Sequence, residues 1–173
     1  MTAPSLTRTV SLGYAAGSVG TGAFAVLPGL VLAYYLTDSL GVSALLAAII
    51  VVIPKLLDVV VNPLIGSRSD HEVAVTGQRI RLMWVGAVTI FPLFILTFCV
   101  PTGFSPGLGA LWVLIFFSLT AVAYACFQVP YIALPADLTT DYHERTTLIA
   151  ERIAVLALTI LLVGAGAPAI RDA

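Results

Sequence analysis

Apolar positions along this chain gather into five long runs, 11–36, 43–66, 79–100, 110–135 and 148–168, separated by four short breaks. Each run is long enough to cross a bilayer as a helix. The second, 43–66, would reach roughly 36 Å at 1.5 Å per residue, enough to span with some tilt. The breaks differ in character. The segment 37–42 is a tight turn holding Asp38 and Gly41, and 101–109 is a Gly/Pro turn with no charge. The segments 67–78 and 136–147 are polar and read as loops. The pattern predicts an all-α membrane protein with about five transmembrane helices.

The first run is crowded with small residues: Gly13, Gly17, Ser18, Gly20, Thr21 and Gly22. In water so many glycines would argue against a helix. In a bilayer the backbone has no water to pair with, so the helix survives and small residues permit close packing. Gly13 and Gly17 have the spacing of a close-packing motif. Tyr34 and Tyr35 stand near the end of this run, where an aromatic belt meets the membrane interface.

Composition agrees with the pattern. The chain is 60% hydrophobic and only 10% charged, against about 25% charged for a soluble domain. Too little polar surface remains to coat a water-soluble body. The net charge is −1 with eight Lys and Arg residues, so nothing points to a nucleic-acid partner. The partner that composition does imply is the lipid bilayer. Cys99 and Cys126 both fall in apolar runs and are expected as buried free thiols rather than a disulfide. The first ten residues carry one charge, Arg8, and no small-residue cleavage site follows a short apolar core, so a cleaved signal peptide is not expected. No zinc spacing, nucleophile elbow, phosphate loop or dinucleotide motif occurs, which argues against an enzyme and against a bound cofactor.

Orientation follows from the basic residues. Arg8, Arg68, Arg79, Arg81, Arg145 and Arg152 fall on one side of the predicted spans, and Arg171 alone on the other. The positive-inside rule places the N-terminus and both polar loops in the cytoplasm, as expected for a multi-pass protein of the plasma membrane.

Polar chemistry concentrates in the second run. Lys55, Asp58 and Asn62 are spaced by three and four residues and share one helical face. Ionisable groups are costly in hydrocarbon, so such a face should meet a protein interior or a wet cavity. Lys55 lies eleven residues before Gly66, near mid-depth. The bland reading is a self-neutralising Lys55–Asp58 pair. The functional reading gives Asp58 a proton or a sodium ion, with the Asn62 carbonyl one turn on, because hard cations take oxygen ligands. Asn62-Pro63 should also kink the helix, either for packing alone or to free the Val59 carbonyl as a further ligand.

In the fourth run, Tyr124, Gln128 and Tyr131 share a face. Rings and an amide suit either a polar ligand or plain interhelical hydrogen bonding. At the start of the fifth run, Arg152 either pairs with Glu151 or turns inward to hold a hydroxyl-rich or anionic ligand.

Five ordered stretches resemble the glycoside–pentoside–hexuronide:cation symporters, the melibiose-carrier branch of the major facilitator superfamily. They are Tyr34-Tyr35-Leu36-Thr37-Asp38, then Pro54-Lys55-Leu56-Leu57-Asp58-Val59-Val60-Val61-Asn62-Pro63-Leu64-Ile65-Gly66, then Gly66…Asp70…Gly77…Arg79…Arg81, then Val129-Pro130-Tyr131-Ile132-Ala133-Leu134, and Asp141-Tyr142-His143-Glu144-Arg145-Thr146. The resemblance implies that Asp58 helps bind the coupling cation. Asn62 stands where the melibiose-carrier branch has a second cation-binding aspartate, which leaves proton, sodium or uncoupled diffusion open. Gln128 replaces a sugar-binding aspartate and Ile132 an aromatic sugar contact. Arg152 resembles an arginine near the ligand cavity. Gly66, Asp70, Gly77, Arg79 and Arg81 resemble the superfamily's cytoplasmic gating motif, with His71 where Arg or Lys is usual.

The family fold has twelve spans in two six-helix halves with the site between them. The resemblance therefore identifies 1–173 with an incomplete N-terminal transmembrane half, which needs the missing C-terminal half to move a small-molecule solute. The expected function is cation symport of a sugar or related solute by alternating access. The alternatives are a non-transporting truncated subunit or relic, and a carrier of lipid-type solutes.

Overall fold

The computed structural model describes residues 7–171, with side chains through 166. It is helical, with no strand among the described residues. The helices are α1 (Arg8–Leu27), α2 (Ala44–Thr76), α3 (Ile80–Phe98), α4 (Pro106–Leu138) and α5 (Tyr142–Arg171). Two π-helical turns, Pro28–Leu32 and Tyr35–Ser39, continue the course of α1, and the stretch Arg8–Ser39 is long and apolar enough to cross a membrane as one span. Pro28 has no N–H to donate, so the regular ladder cannot pass it unchanged, and a wider turn follows. Five helices have the length and composition of membrane spans.

Three of these helices, α2, α4 and α5, overrun their expected limits. The segment 67–78 reads as a polar loop, yet α2 continues through it to Thr76. Nothing between Ser67 and Thr76 breaks a helix, since the first Gly or Pro after Gly66 is Gly77. Gly77 takes φ +73°, and its N–H bonds the Val73 carbonyl at 2.8 Å, closing the helix with a left-handed cap. Likewise α5 starts at Tyr142 inside the expected loop 136–147. Asp141 caps it, its Oδ1 accepting the Glu144 N–H at 2.9 Å. Helix α4 begins at Pro106 rather than at 110, with proline in the first helical position that favours it.

The chain forms two compact units. The first comprises Met1–Leu30 and Ala133–Ala173, and its core is the α1–α5 pair. The buried stripe of α1 is Tyr14, Ala15, Ser18, Thr21 and Gly22. Ser11 donates to Glu151. A Cβ built on Gly22 would stand 3.0 Å from that of Thr159, and one on Gly164 3.8 Å from Val26 Cγ1. These contacts advance together along both helices, so α1 and α5 run parallel, as the first and fifth spans of one chain must. Gly13 faces open space, and Gly22, one turn beyond the Gly13/Gly17 motif, is the glycine that admits α5.

The second unit is Val31–Ile132. Here α4 packs against both α2 and α3. Gly86 of α3 lies so close to α4 that a Cβ would fall 2.5 Å from Phe127 N and 2.7 Å from Ala123 O. Trp112 Nε1 donates to the Leu96 carbonyl at 2.9 Å, joining the Cys99 N–H at that acceptor near the end of α3. Tyr35 reaches the same end, its hydroxyl donating to Phe98 O at 2.9 Å and its ring meeting Phe98 edge-on. Toward α2, Ile53 and Leu57 share a groove with Leu114, Ser118 and Val122 of α4. A Cβ on Gly66 would meet Val129 at 3.8 Å, so α2 and α4 also run parallel.

Both cysteines are free thiols. Cys126 is half-buried, but Cys99 is exposed rather than buried, because it caps the end of α3 where the apolar run turns.

Candidate functional site

Helix α2 buries Ala47, Ile50, Pro54, Ile65 and Ser69. Their spacing of three, four and eleven residues draws a single stripe, and Asp58 falls on it between Pro54 and Ile65. Asp58 is half-buried, while Lys55 and Asn62 stand exposed on the stripe's flank. None of the three makes a hydrogen bond or direct ion pair with a described residue. Lys55 acts on the Asp58 carboxylate through its field alone. The helix continues through Pro54 and Pro63 without a break.

On α4, Tyr131 is buried and stacks on Phe127 at 5.3 Å between centroids. Tyr124 and Gln128 are half-buried. The Gln128 Oε1 atom is buried and accepts no hydrogen bond from a described residue, an arrangement that costs about 1–3 kcal/mol unless a ligand or water answers it. Asp58 and Asn62 lie on α2 between the level of the Leu57 groove and the level of Gly66. Tyr124 and Gln128 lie on α4 between the same two levels. The carboxylate and the amides thus share one band of depth.

The residues from Gly66 to Arg81 do assemble. The Arg79 guanidinium is nearly buried, and its Nη1 donates to Asp70 Oδ1 at 2.6 Å and to Ser69 Oγ at 3.1 Å. The Arg81 backbone N–H donates to Glu72 Oε1 at 3.0 Å, while its side chain is exposed. Gly66 is where α2 passes Val129, and Gly77 supplies the positive φ between α2 and α3. What reads as a twelve-residue loop is therefore a pinned corner of three residues between two helices.

Arg152 belongs to the other unit. It is half-buried, with Nε shielded from solvent. Glu151, its expected partner, is instead engaged by Ser11 of α1. Sequence reasoning missed this contact and also the corner Thr139–Arg145. There Thr139 Oγ1 donates to Glu144 Oε2 at 2.7 Å, and Arg145 Nη2 donates to the Thr139 carbonyl at 3.0 Å. The Asp-x-x-Glu spacing at Asp141 and Glu144 resembles a helix-start signature and could have located α5's first turn.

Comparison with known proteins settles the wider class. The model of the family described as "MFS/sugar transport protein" matches residues 13–173. The chain belongs to that family. Its likeness to the glycoside–pentoside–hexuronide:cation symporters holds across the matched residues. An uncharacterized symporter of Synechocystis, sll1374, is 31% identical over 180 aligned positions, covering 97% of this chain and 33% of that protein. The sodium-dependent lysophosphatidylcholine symporter 1 of Mus musculus is 32% identical over 139 positions, covering 75% of this chain and 25% of its own length. The isoprimeverose transporter of Lactiplantibacillus pentosus is 27% identical over 133 positions, covering 75% and 27%. The chain thus spans about a third of the length of the curated relatives it matches. A family of membrane transporters accounts for five apolar spans, and the protein is integral to the membrane.

Proposed function

We propose that the chain is the N-terminal portion of a secondary active transporter that couples symport of a sugar or related small solute to a proton or sodium gradient by alternating access. The observation that carries this reading is the α2 face. A carboxylate, an ammonium and an amide sit in a membrane-spanning helix, and none of them has a hydrogen bond or direct ion pair among the described residues. Groups so costly in a membrane mark an ion or substrate path. In this reading Asp58 holds the cation, Asn62 lends a carbonyl oxygen, and Lys55 neutralises the carboxylate when the cation leaves. Gln128, Tyr124 and Tyr131 face the solute, and Arg152 is assigned to the ligand cavity by the resemblance alone. The corner at Asp70, Gly77, Arg79 and Arg81 holds the cytoplasmic end, with the N-terminus cytoplasmic and the protein in the plasma membrane. The missing C-terminal half covers the open face of α2.

The test is uptake by the full-length parent across a panel of sugars with imposed proton and sodium gradients. Gradient-driven uptake is expected, and Asp58→Asn should abolish it while leaving protein levels unchanged. Undiminished coupling in that variant would remove Asp58 from the cation site. A second reading keeps transport and changes the solute to a lysolipid. It is favoured by the lysophosphatidylcholine symporter among the relatives and by Ile132, which is 50% exposed. Uptake of labelled lysophosphatidylcholine in preference to every sugar would decide for it.

A further inference from the structure

The α1–α5 pair opens at one end into a cavity that the transport path does not use. Its volume is about 320 Å³, near the lower end of the range for small-molecule sites, roughly 300–1,000 Å³. Arg8 and Ser11 of α1 line it, with His143, Glu144, Leu148 and Glu151 of α5. Both helices begin here, and both are long and apolar enough to cross a membrane from this end. Membrane insertion therefore puts the cavity at the height of the lipid headgroups. Ser11 donates to Glu151, which fixes the register of the two helices. At 1.5 Å per residue, Glu144 lies roughly 10.5 Å nearer the entry end than Glu151. Arg8, three residues before Ser11, stands near the level of Leu148, between the two carboxylates in depth.

The charges of this cavity are not spent on one another. Glu151 accepts from Ser11, and Glu144 Oε2 accepts from Thr139 Oγ1 at 2.7 Å. The Arg8 guanidinium shares the cavity with both carboxylates and forms neither an ion pair nor a hydrogen bond with any described residue. Counting histidine as neutral, the lining carries one positive and two negative charges. A plain anion here meets two carboxylates, and a plain cation meets Arg8. A ligand that carries both signs answers both. A guanidinium takes phosphate in a two-pronged geometry. A primary ammonium offers a carboxylate three N–H donors, and a quaternary one offers none. We propose that this cavity binds a phosphoethanolamine group carried by a membrane lipid, with the phosphate on Arg8 and the ammonium on Glu144. The order in depth agrees, since in such a lipid the ammonium lies outermost and the phosphate lies toward the acyl chains. Glu151, one level deeper, opposes headgroups of net negative charge. The inference rests on membrane insertion and not on the coupling role of Asp58.

Headgroup methylation tests this directly. The full chain in detergent is titrated with lipids of one acyl composition, and bound lipid is counted by native mass spectrometry. The headgroups are phosphatidylethanolamine, its N-methyl and N,N-dimethyl forms, phosphatidylcholine and phosphatidylglycerol. The first four keep one charge pattern and lose one N–H donor at each step. Affinity should fall along that series, by about fivefold from end to end, and phosphatidylglycerol should bind no more tightly than phosphatidylcholine. Glu144→Gln keeps an acceptor for Thr139 and should flatten the series, leaving phosphatidylcholine binding unchanged, which also reports an intact fold. Arg8→Gln should weaken phosphatidylethanolamine by a similar factor, and Arg8→Lys should retain most of the binding. Soluble phosphoethanolamine should bind far more weakly than the lipid. A flat series in the unaltered chain, tightest binding of phosphatidylglycerol, or a series that survives Glu144→Gln would overturn the proposal. Soluble phosphoethanolamine bound as tightly as the lipid would overturn the assignment to a lipid.

Discussion

Helix α2 carries two polar clusters about 18 Å apart along its axis, and they are built on opposite plans. At its end, Ser69, Asp70 and Glu72 are all answered by groups at the start of α3. Near its middle, Lys55, Asp58 and Asn62 make no hydrogen bond or direct ion pair among the described residues. The end cluster lies where water is available, so leaving it open would have cost little. The middle one lies where leaving it open costs most. On the function proposed above, the second set is held for something else, an ion, a solute or a second bundle of helices.

That contrast can be broken by substitution. The largest effect is expected at the open cluster. Asp58→Leu should stabilise the membrane-inserted chain, by up to about 2.5–3.5 kcal/mol on the insertion scale, even as it removes the group assigned to coupling. The midpoint of thermal unfolding in lipid nanodiscs checks this, and a fall in the midpoint would show that Asp58 already has a stabilising partner. The closed cluster should respond in the opposite sense and less strongly. Arg79→Ala strands the buried Ser69 hydroxyl and should cost about 1–3 kcal/mol in the same assay. The smallest change belongs to Asp70→Asn. Asp70 is 71% exposed, so losing its pair with Arg79 should cost no more than about 1 kcal/mol. If Asp70→Asn proved as damaging as Arg79→Ala, the ion pair rather than the Ser69 contact would be holding the corner.

The same helix shows what was legible beforehand. Hydropathy located all five spans, and the spacing of Lys55, Asp58 and Asn62 placed them together. It did not locate helix ends, because hydropathy marks where a chain leaves the hydrocarbon and not where its backbone stops coiling. Hence α2 runs ten residues past Gly66 and α5 begins six before Leu148. Glycine content misled in a related way. In α1 Gly13 faces open space while Gly22 meets α5, and Gly86, the tightest contact of α3, stands alone in its run. A close approach is decided by which face meets a neighbour, and that depends on the whole bundle. The resemblance put Asp70 and Arg79 in one motif, but not the anchor of Arg79 on Ser69, since serine at a helix end is unremarkable until an arginine reaches it.

The parallel pairing of α1 with α5 has a consequence for how the protein is made. Ser11 and Glu151 are separated by 140 residues, so α1 leaves the ribosome well before α5 and waits for it before its small-residue face is covered. Such long-range closure comes late in folding. During synthesis the Ser18–Gly22 face stays available to any other small-residue helix nearby. The insertion machinery must therefore shelter α1 through the emergence of three further spans, and a chain halted before Thr159 would present that face as a ready signal for membrane quality control.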